Sequence, residues 1–210
     1  MSTDSNLKLS KKGLELLKLY KDMIDDGYRN DLFNLRHFKE LVKEKLITHN
    51  IKSILDYGSG RSDWNKEGFD TKSNSSAKKY FNLDKVYHYE PTENLDEKKL
   101  VDCVLCIDVL EHIFIGDLKL VVSDIYKYAK ELVILQIACY PASATLPNGE
   151  NAHITVRNPV WWKGFIDSFS SDFPKVSTIL MCSNSYSKAT IFETWSAKKW
   201  HEIPHFKVDI

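Results

Sequence analysis

The sequence has no long apolar run, no excess of charge of either sign and no cysteine pattern typical of a bound metal. No stretch approaches the ~20 apolar residues that span a bilayer, and the first residues, MSTDSNLKLSKK, lack the apolar segment of a secretory signal. These absences predict a soluble, cytoplasmic protein without a membrane partner. Lys plus Arg equals Asp plus Glu at 29 each, so no net field attracts nucleic acid, which makes that partner unlikely.

The four cysteines are expected to be free and buried. Cys103 and Cys106 lie in VDCVLCIDVL, a stretch with the composition of a strand, so their side chains should point to opposite faces of the sheet. This spacing argues against a zinc knuckle between the two thiols.

A chain of 210 residues is long enough for one core of ordinary size, and it contains no internal repeat or low-complexity tract. Apolar residues at helical spacing predict two N-terminal helices, over residues 7–28 and 32–48. We assign residues 1–50 to a helical cap and residues 51–210 to the main domain of a single compact unit. The oligomeric state does not follow from the sequence.

Beyond residue 50, predicted strands and helices alternate, which indicates an α/β fold with a largely parallel sheet. The strands are expected over residues 52–56, 85–90, 102–107, 131–138, 176–182 and 189–196, and the later helices over residues 118–129 and 159–169. The polar stretch 63–79 is rich in Ser, Asn and Lys and predicts a mobile loop with one short helix rather than a buried element.

The stretch SILDYGSGRS, residues 53–62, places an acid and two glycines directly after a predicted strand. Such a turn brings backbone N–H groups close to a nucleotide-like ligand. A dinucleotide-binding dehydrogenase would need G-x-G-x-x-G and a ribose-binding acid about 20 residues further on. Here Asp63 occupies the third glycine position and the next strand-terminal acid, Glu90, lies too far along the chain, so that family is disfavoured.

LDYGSG resembles the first motif of the class I S-adenosylmethionine-dependent methyltransferases, an apolar strand followed by D/E-x-G-x-G. HYEP at residues 88–91 is similar to the family's second motif, and DCVLCIDVLEHI at residues 102–113 to its fourth-strand segment. The resemblance implies a Rossmann-like fold with a mostly parallel seven-stranded sheet, helices on both faces and an N-terminal helical lid. Residues 51–210 would then form the methyltransferase domain.

The resemblance also implies the cofactor S-adenosyl-L-methionine and the residues that hold it. These are Asp56, Gly58, Ser59, Gly60, Glu90 and Asp108. Asp56 would attract the ammonium of the methionine moiety, and Glu90 would accept hydrogen bonds from the ribose hydroxyls. The alternative for Asp56 is a cap on the next helix. The family often has a further glycine where this chain has Ser62, which would change the angle of that helix.

Asp108, Glu111 and His112 stand at i, i+3 and i+4, a spacing that places them on one face of a helical turn. With His153 they form a candidate site for a divalent metal, and this ligand set suits Mg, Mn, Fe or Co better than structural zinc. The layout is similar to that of small-RNA 3′-terminal 2′-O-methyltransferases. Alternatively, the DVLEH segment binds no metal, and His153 is a loop histidine bonded to a backbone carbonyl.

Methyl transfer to a hydroxyl requires alignment of donor and acceptor and removal of a proton, and His112 or His153 is the candidate catalytic base. The predicted activity is O-methylation of a small hydroxylated acceptor such as a saccharide or other metabolite. A metal-assisted RNA 2′-O-methyltransferase and a non-catalytic cofactor-binding module are the alternatives.

Two groups of aromatic and basic residues are candidates to surround the ligands, with core packing as the alternative. The first is an aromatic wall from Tyr140, Arg157, Trp161 and Trp162, and the second a closing group of Tyr20, Tyr28, Arg29 and Arg36.

Overall fold

A computed structural model describes residues 7–27, 32–194 and 205–210. The helices within these residues are α1 (Lys11–Asp25), α2 (Phe33–His37), α3 (Lys39–Thr48), α4 (Ala77–Tyr80), α5 (Leu118–Lys127) and α6 (Pro159–Ser170). The strands are β1 (Ser53–Tyr57), β2 (Lys85–Glu90), β3 (Leu95–Asp96), β4 (Val101–Ile107), β5 (Ala129–Ala138), β6 (Ser177–Ser185), β7 (Lys188–Thr194) and β8 (His205–Asp209).

The strands form one sheet in the order β3-β2-β1-β4-β5-β6-β7-β8. Strands β2, β1, β4, β5 and β6 are parallel, whereas β3, β7 and β8 pair antiparallel at the two edges. The prediction of an α/β fold with a largely parallel sheet is therefore confirmed. The order reverses between β1 and β4, and a crevice at such a switch point is where open α/β sheets bind ligands.

The expectation of seven strands is wrong, because the sheet formed by the described residues has eight. Strand β3 has two residues, too few to leave a period-two pattern in the sequence, and it pairs with the end of β2. The C-terminal strand β8 pairs with β7 over five residue pairs. Both additions lie at or near sheet edges, where the composition does not have to be apolar.

Each face of the sheet is covered by helices. Helices α5 and α6 pack on one face with the cluster that contains Cys106, and α3 packs on the other with Cys103. The two cysteines therefore face opposite sides, as their spacing predicts, and all four cysteines are free. The near-continuous apolar runs of β4 and β5 follow from this two-sided burial.

The N-terminal helices are shorter than expected and pack differently from each other. Helix α1 begins after Ser10, whose hydroxyl accepts from the backbone N–H of Gly13, and Tyr28, at the end of the predicted helix, lies outside the described residues. The second predicted helix is divided at Phe38 into α2 and α3. Helix α1 packs on the segment 142–154, whereas α3 belongs to the core. Closure of these helices as a lid stays a prediction.

The polar segment between β1 and β2 has one short helix, α4, as predicted, but it is not a purely exposed loop. Trp64 and Phe69 are buried against the α3 face of the sheet. Asp70 organises the segment by accepting hydrogen bonds from the backbone and hydroxyl of Ser73 and from Lys39. The expectation that this stretch contributes no buried element is wrong, because two isolated aromatic side chains anchor an otherwise polar sequence.

The other predicted elements lie where the sequence places them, with shifts of a few residues at their ends. Residues 195 and 196 of the last predicted strand lie outside the described part of the chain. Among the helices that the structure describes, none is both long enough and apolar enough to cross a membrane.

Candidate functional site

A cavity of about 650 Å³ lies at the switch point, beyond the carboxyl ends of β1 and β4 and beneath α1 and α2. Two parts of its lining differ in chemistry, one acidic and one aromatic. The acidic end consists of Asp56, Gly58, Ser59, Gly60 and Glu90, and the ring wall consists of Tyr20, His112, Tyr140, His153 and Tyr186. Asp108 lines the cavity between them, and apolar side chains of α1 and α2 complete the lining.

The glycine turn after β1 is held by the neighbouring strand β2. The backbone N–H groups of Gly58 and Ser59 both donate to the carbonyl of Tyr89, at 2.8 and 3.1 Å. Gly58 has a φ of +81°, and a Cβ there would lie 2.5 Å from a methyl group of Val109. Glycine is therefore required so that the segment after β4 can pack against the turn.

The turn does not lead into a helix, in contrast to the expectation for Ser62 and the following residues. The next helix, α4, begins only at Ala77 with Ser76 as its cap, and Asp56 caps none of the helices that the structure describes. The chain instead forms the irregular segment anchored by Trp64 and Phe69.

Asp56 is the most deeply placed carboxylate of the acidic end, with 5% of its surface exposed. Its Oδ2 accepts a hydrogen bond of 2.7 Å from the indole N–H of Trp64. Burial raises the pKa of Asp56 to about 6, against the opposing effect of the Trp64 hydrogen bond. A cation placed beside this carboxylate would favour its ionised form.

Glu90 ends β2, and its carboxylate is held by three donors. Oε2 accepts from the backbone N–H of Gly60 at 2.7 Å, and Oε1 accepts from the backbone and hydroxyl of Thr92. A carboxylate offers about four lone-pair positions, so acceptor capacity remains for a ligand. The nearby Ser59 Oγ is buried and has no hydrogen-bond partner among the described residues.

Asp108 follows β4 with a φ of +58°, a left-handed conformation that is uncommon for residues other than glycine. Its carboxylate accepts a hydrogen bond from the side-chain amide of Asn34 on α2, and its backbone N–H donates to Gln136. These bonds connect α2, β4 and β5 at the middle of the cavity. Backbone strain of this kind is concentrated at functional sites.

Glu111 has no exposed surface, and only one of its carboxylate oxygens accepts a hydrogen bond from a donor among the described residues. Oε1 accepts from the backbone N–H of Ala138 at 2.6 Å, whereas the buried Oε2 accepts no hydrogen bond from the described residues. Burial, and then the adjacent charge of Asp108, raise the pKa of Glu111 well above its usual range. A proton or a cation at Oε2 would relieve this cost.

His112 and His153 have the same hydrogen-bond arrangement. His112 Nδ1 lies 2.7 Å from the carbonyl of Ala152, and His153 Nδ1 lies 2.5 Å from the carbonyl of Tyr140. Because a carbonyl only accepts, each Nδ1 carries the proton and each Nε2 keeps a lone pair. The rings contact each other edge to face, with centroids 5.0 Å apart.

His112 and His153 are 41 positions apart in the sequence. Hydrogen bonds hold the segments that carry them close together. Thr155 donates its backbone N–H to the carbonyl of Glu111 and its hydroxyl to that of Ile113. Tyr20 of α1 donates to the carbonyl of Ala152 at 2.6 Å. Burial, and then the proximity of His153, lower the pKa of His112 to about 4, so this ring is neutral at neutral pH.

The residues Glu111, His112 and His153 fit a divalent metal. One ligand atom from each lies within 4.8 Å of the other two. The Nδ1–H···O=C bonds expose Nε2 in the way typical of metal-binding histidines, and the unsatisfied Oε2 of Glu111 supplies an anionic ligand. Asp108, the fourth predicted ligand, does not belong to this group.

The predicted aromatic wall is only partly present. Tyr140 lines the cavity, but Trp162 is fully buried in the core and Trp161 stacks on Phe165 beside Arg157. In the closing group, Tyr20 lines the cavity, whereas Arg36 lies over the ring of Phe69 outside it. Tyr28 and Arg29 lie outside the described residues.

Sequence reasoning missed three site residues: Asn34, Trp64 and Tyr186. For Trp64 there was a weak indication in the sequence, because a single tryptophan in a polar stretch is expected to be buried. Asn34 and Tyr186 had none, because each enters the cavity from a segment that the sheet order brings close to it. No protein-family description matches the chain, and no curated protein sequence is significantly similar to it.

Proposed function

We propose that the protein is an S-adenosylmethionine-dependent methyltransferase of the class I fold that methylates a hydroxyl of a small acceptor. The observation that carries the proposal is the buried carboxylate of Asp56 in a cavity whose described lining residues include no Lys or Arg. S-adenosylmethionine carries a sulfonium and an ammonium, and this cavity offers carboxylates at one end. The three sequence motifs supply residues to that same cavity.

In this proposal the acidic end binds the cofactor. Asp56 pairs with its ammonium, which stabilises the ionised form of a carboxyl group whose pKa burial has raised to about 6. Glu90 is kept oriented by Gly60 and Thr92, so its remaining lone pair accepts from a ribose hydroxyl. The apolar side chains of α1 and α2 exclude water from the reacting centre.

The acceptor hydroxyl then lies at the ring wall, where a base is required. His153 is the stronger candidate, because the pKa of His112, lowered to about 4, makes His112 a weak base near neutral pH. His153 Nε2 accepts the proton, and the carbonyl of Tyr140 stabilises the resulting imidazolium through Nδ1–H. Glu111, His112 and His153 are the residues that would hold a divalent metal, which would supply Lewis-acid activation of the acceptor hydroxyl.

The test combines binding and turnover. Titration calorimetry with S-adenosylhomocysteine examines the acidic end, and transfer of label from S-adenosylmethionine to a panel of hydroxylated compounds examines the activity. His153→Ala is expected to abolish transfer and leave product binding unchanged, with His49→Ala, on the C-terminal side of α3, as the control. No binding of either adenosyl compound at millimolar concentration would refute the proposal.

Metal dependence separates the two roles of the histidines. Transfer that survives chelation and is lost in His153→Ala indicates a base, whereas transfer lost on chelation and restored by Mg²⁺ or Mn²⁺ indicates a ligand.

The group Glu111, His112 and His153 also favours a second candidate, a metal-assisted RNA 2′-O-methyltransferase. Phosphate binding needs cationic side chains, and the described lining of the cavity has none. Titration with an oligoribonucleotide at low salt decides between the two, since absence of binding excludes the second candidate.

A further inference from the structure

The ring wall is a continuous series of contacts from the interior to the surface. Tyr20 and His112 have ring centroids 5.1 Å apart, His112 and His153 5.0 Å, His153 and Tyr140 5.9 Å, and Tyr140 and Tyr186 5.0 Å. All five rings line the same cavity. The series ends at Tyr186, which lies in the turn between β6 and β7 with 69% of its surface exposed.

The position of Tyr186 is unusual for a large aromatic side chain. Its ring is exposed, yet it contacts Tyr140 rather than projecting away from the protein. Truncation at this position would therefore remove little core packing. An exposed aromatic ring at the mouth of a cavity offers a flat apolar surface to an incoming ligand.

The charges of the cavity restrict what that ligand is. Asp56, Glu90 and Asp108 line it, and the lining that the structure describes contains no Lys or Arg side chain. The hydroxyl of Tyr140, which lines the same cavity, can donate a hydrogen bond to a ligand. Among the residues that the structure describes, a phosphate or carboxylate at the ring wall would meet carboxylates and no compensating Lys or Arg.

We infer that the ring wall is the acceptor site and that it takes an uncharged, polyhydroxylated ring such as a pyranose, while excluding the phosphorylated form of the same ring. The C–H groups on one face of such a ring pack on the exposed ring of Tyr186, because aromatic faces carry negative partial charge, and Tyr140, tilted by 58° to Tyr186, borders the same site. Its hydroxyls meet the Tyr140 hydroxyl and His153. This inference rests on the proposed function for the reaction, but the binding site stands on its own geometry.

A single-stranded nucleic acid would also stack on aromatic rings, but such sites combine stacking with a cationic groove along the backbone. The cavity lining described here lacks that groove. The aromatic side chains of the ring wall and the carboxylates of the cavity therefore both favour an uncharged sugar ring as the ligand.

Saturation-transfer NMR with the full chain tests the inference. The probes are matched pairs of monosaccharides and their 6-phosphates, together with a short single-stranded RNA at low salt, each with and without S-adenosylhomocysteine. At least one neutral sugar is expected to receive saturation from the tyrosine rings, and its phosphate to bind at least about tenfold more weakly. Equal or tighter binding of the phosphates, binding of RNA alone, or no signal from any neutral sugar would overturn the inference.

Variants at Tyr186 localise the site. Tyr186→Ala is expected to weaken binding of the neutral sugar about five- to tenfold, and Tyr186→Phe to keep it within about twofold, because the ring face is what contacts the ligand. Val160→Ala, which truncates an exposed apolar residue of α6, is the control. Unchanged sugar binding in Tyr186→Ala contradicts the assignment.

Failure of the two proposals can be distinguished. Binding of S-adenosylhomocysteine with no neutral sugar bound refutes the acceptor assignment alone. Binding of sugars without any binding of adenosyl compounds refutes the methyltransferase proposal and leaves the ring wall as a sugar site.

Discussion

Replacing Asp56 with asparagine should make the protein more stable and at the same time impair cofactor binding. Burial raises the pKa of Asp56 from an ordinary value of 3.8 to about 6. Above pH 6 the folded protein therefore holds a carboxylate that would be more stable in water. Because each pKa unit corresponds to about 1.4 kcal/mol, the ionised side chain lowers the free energy of unfolding by up to ~3 kcal/mol.

The sign of the pH dependence follows from proton binding. Between pH 4 and 6 the folded state binds a proton at Asp56 that the unfolded state has lost, so this contribution falls as pH rises through that window. Below pH 4 both states are protonated and the cost disappears. Asp56→Asn should therefore match the wild type at pH 4 and exceed it by about 2 kcal/mol at pH 8, after allowance for a weaker hydrogen bond from Trp64.

Thermal unfolding at pH 8 is the assay, and a gain of about 2 kcal/mol corresponds to ~4–8 °C for a chain of this size. Titration with S-adenosylhomocysteine should show a loss of affinity of ~30-fold or more, typical of removing one partner of a buried charge pair. Equal stability of variant and wild type at pH 8 would refute the account of Asp56 as a strained, buried carboxylate, and equal affinity would refute its role toward an ammonium.

Asp124→Asn is the matched control. Asp124 is as buried as Asp56, but it lies outside the cavity lining and its carboxylate is hydrogen-bonded to buried partners. It accepts hydrogen bonds from the hydroxyl of Tyr57 and from Lys98, whose side chain is also buried. Neutralising it leaves the Lys98 ammonium with one carboxylate fewer, so stability should fall by about 2–4 kcal/mol with no direct effect on ligand binding.

Four further substitutions, one of them a control, test the local structure. Gly58→Ala should cost at least ~2–4 kcal/mol through its positive φ and a 2.5 Å clash, whereas Gly149→Ala, with a similar φ and open space around it, should cost about 1 kcal/mol in denaturant unfolding. Trp64→Phe removes the donor to Asp56 and should cost ~2–4 kcal/mol at pH 8 but less at pH 4, which unfolding curves at both values can check. Ser10→Ala should lower the melting temperature through loss of the α1 cap, about 1 kcal/mol, and an unchanged value would show that the cap is not formed.

The alternation of apolar runs and amphipathic stretches was sufficient to predict the α/β class and the parallel core. The same pattern placed Asp56, Glu90 and Asp108 at strand ends, and parallel strands bring such ends to one edge of the sheet. The pairing of His112 with His153 could be predicted for the same reason, because the two residues follow the neighbouring strands β4 and β5. None of these inferences required knowledge of a side-chain contact.

The tertiary structure decided what each of these residues contacts. Trp64 donates to Asp56, Asn34 reaches Asp108 and Tyr186 extends the ring wall, although no periodicity connects these positions. The physical reason is that hydrophobic periodicity reports which face of an element is buried, whereas partners across a cavity depend on sheet order and on how irregular segments cross its rim. Local spacing therefore determined the framework and the acids at its edge, and only the packed chain determined the neighbours that raise the pKa of Asp56, keep His112 neutral and bring Tyr186 to the cavity mouth.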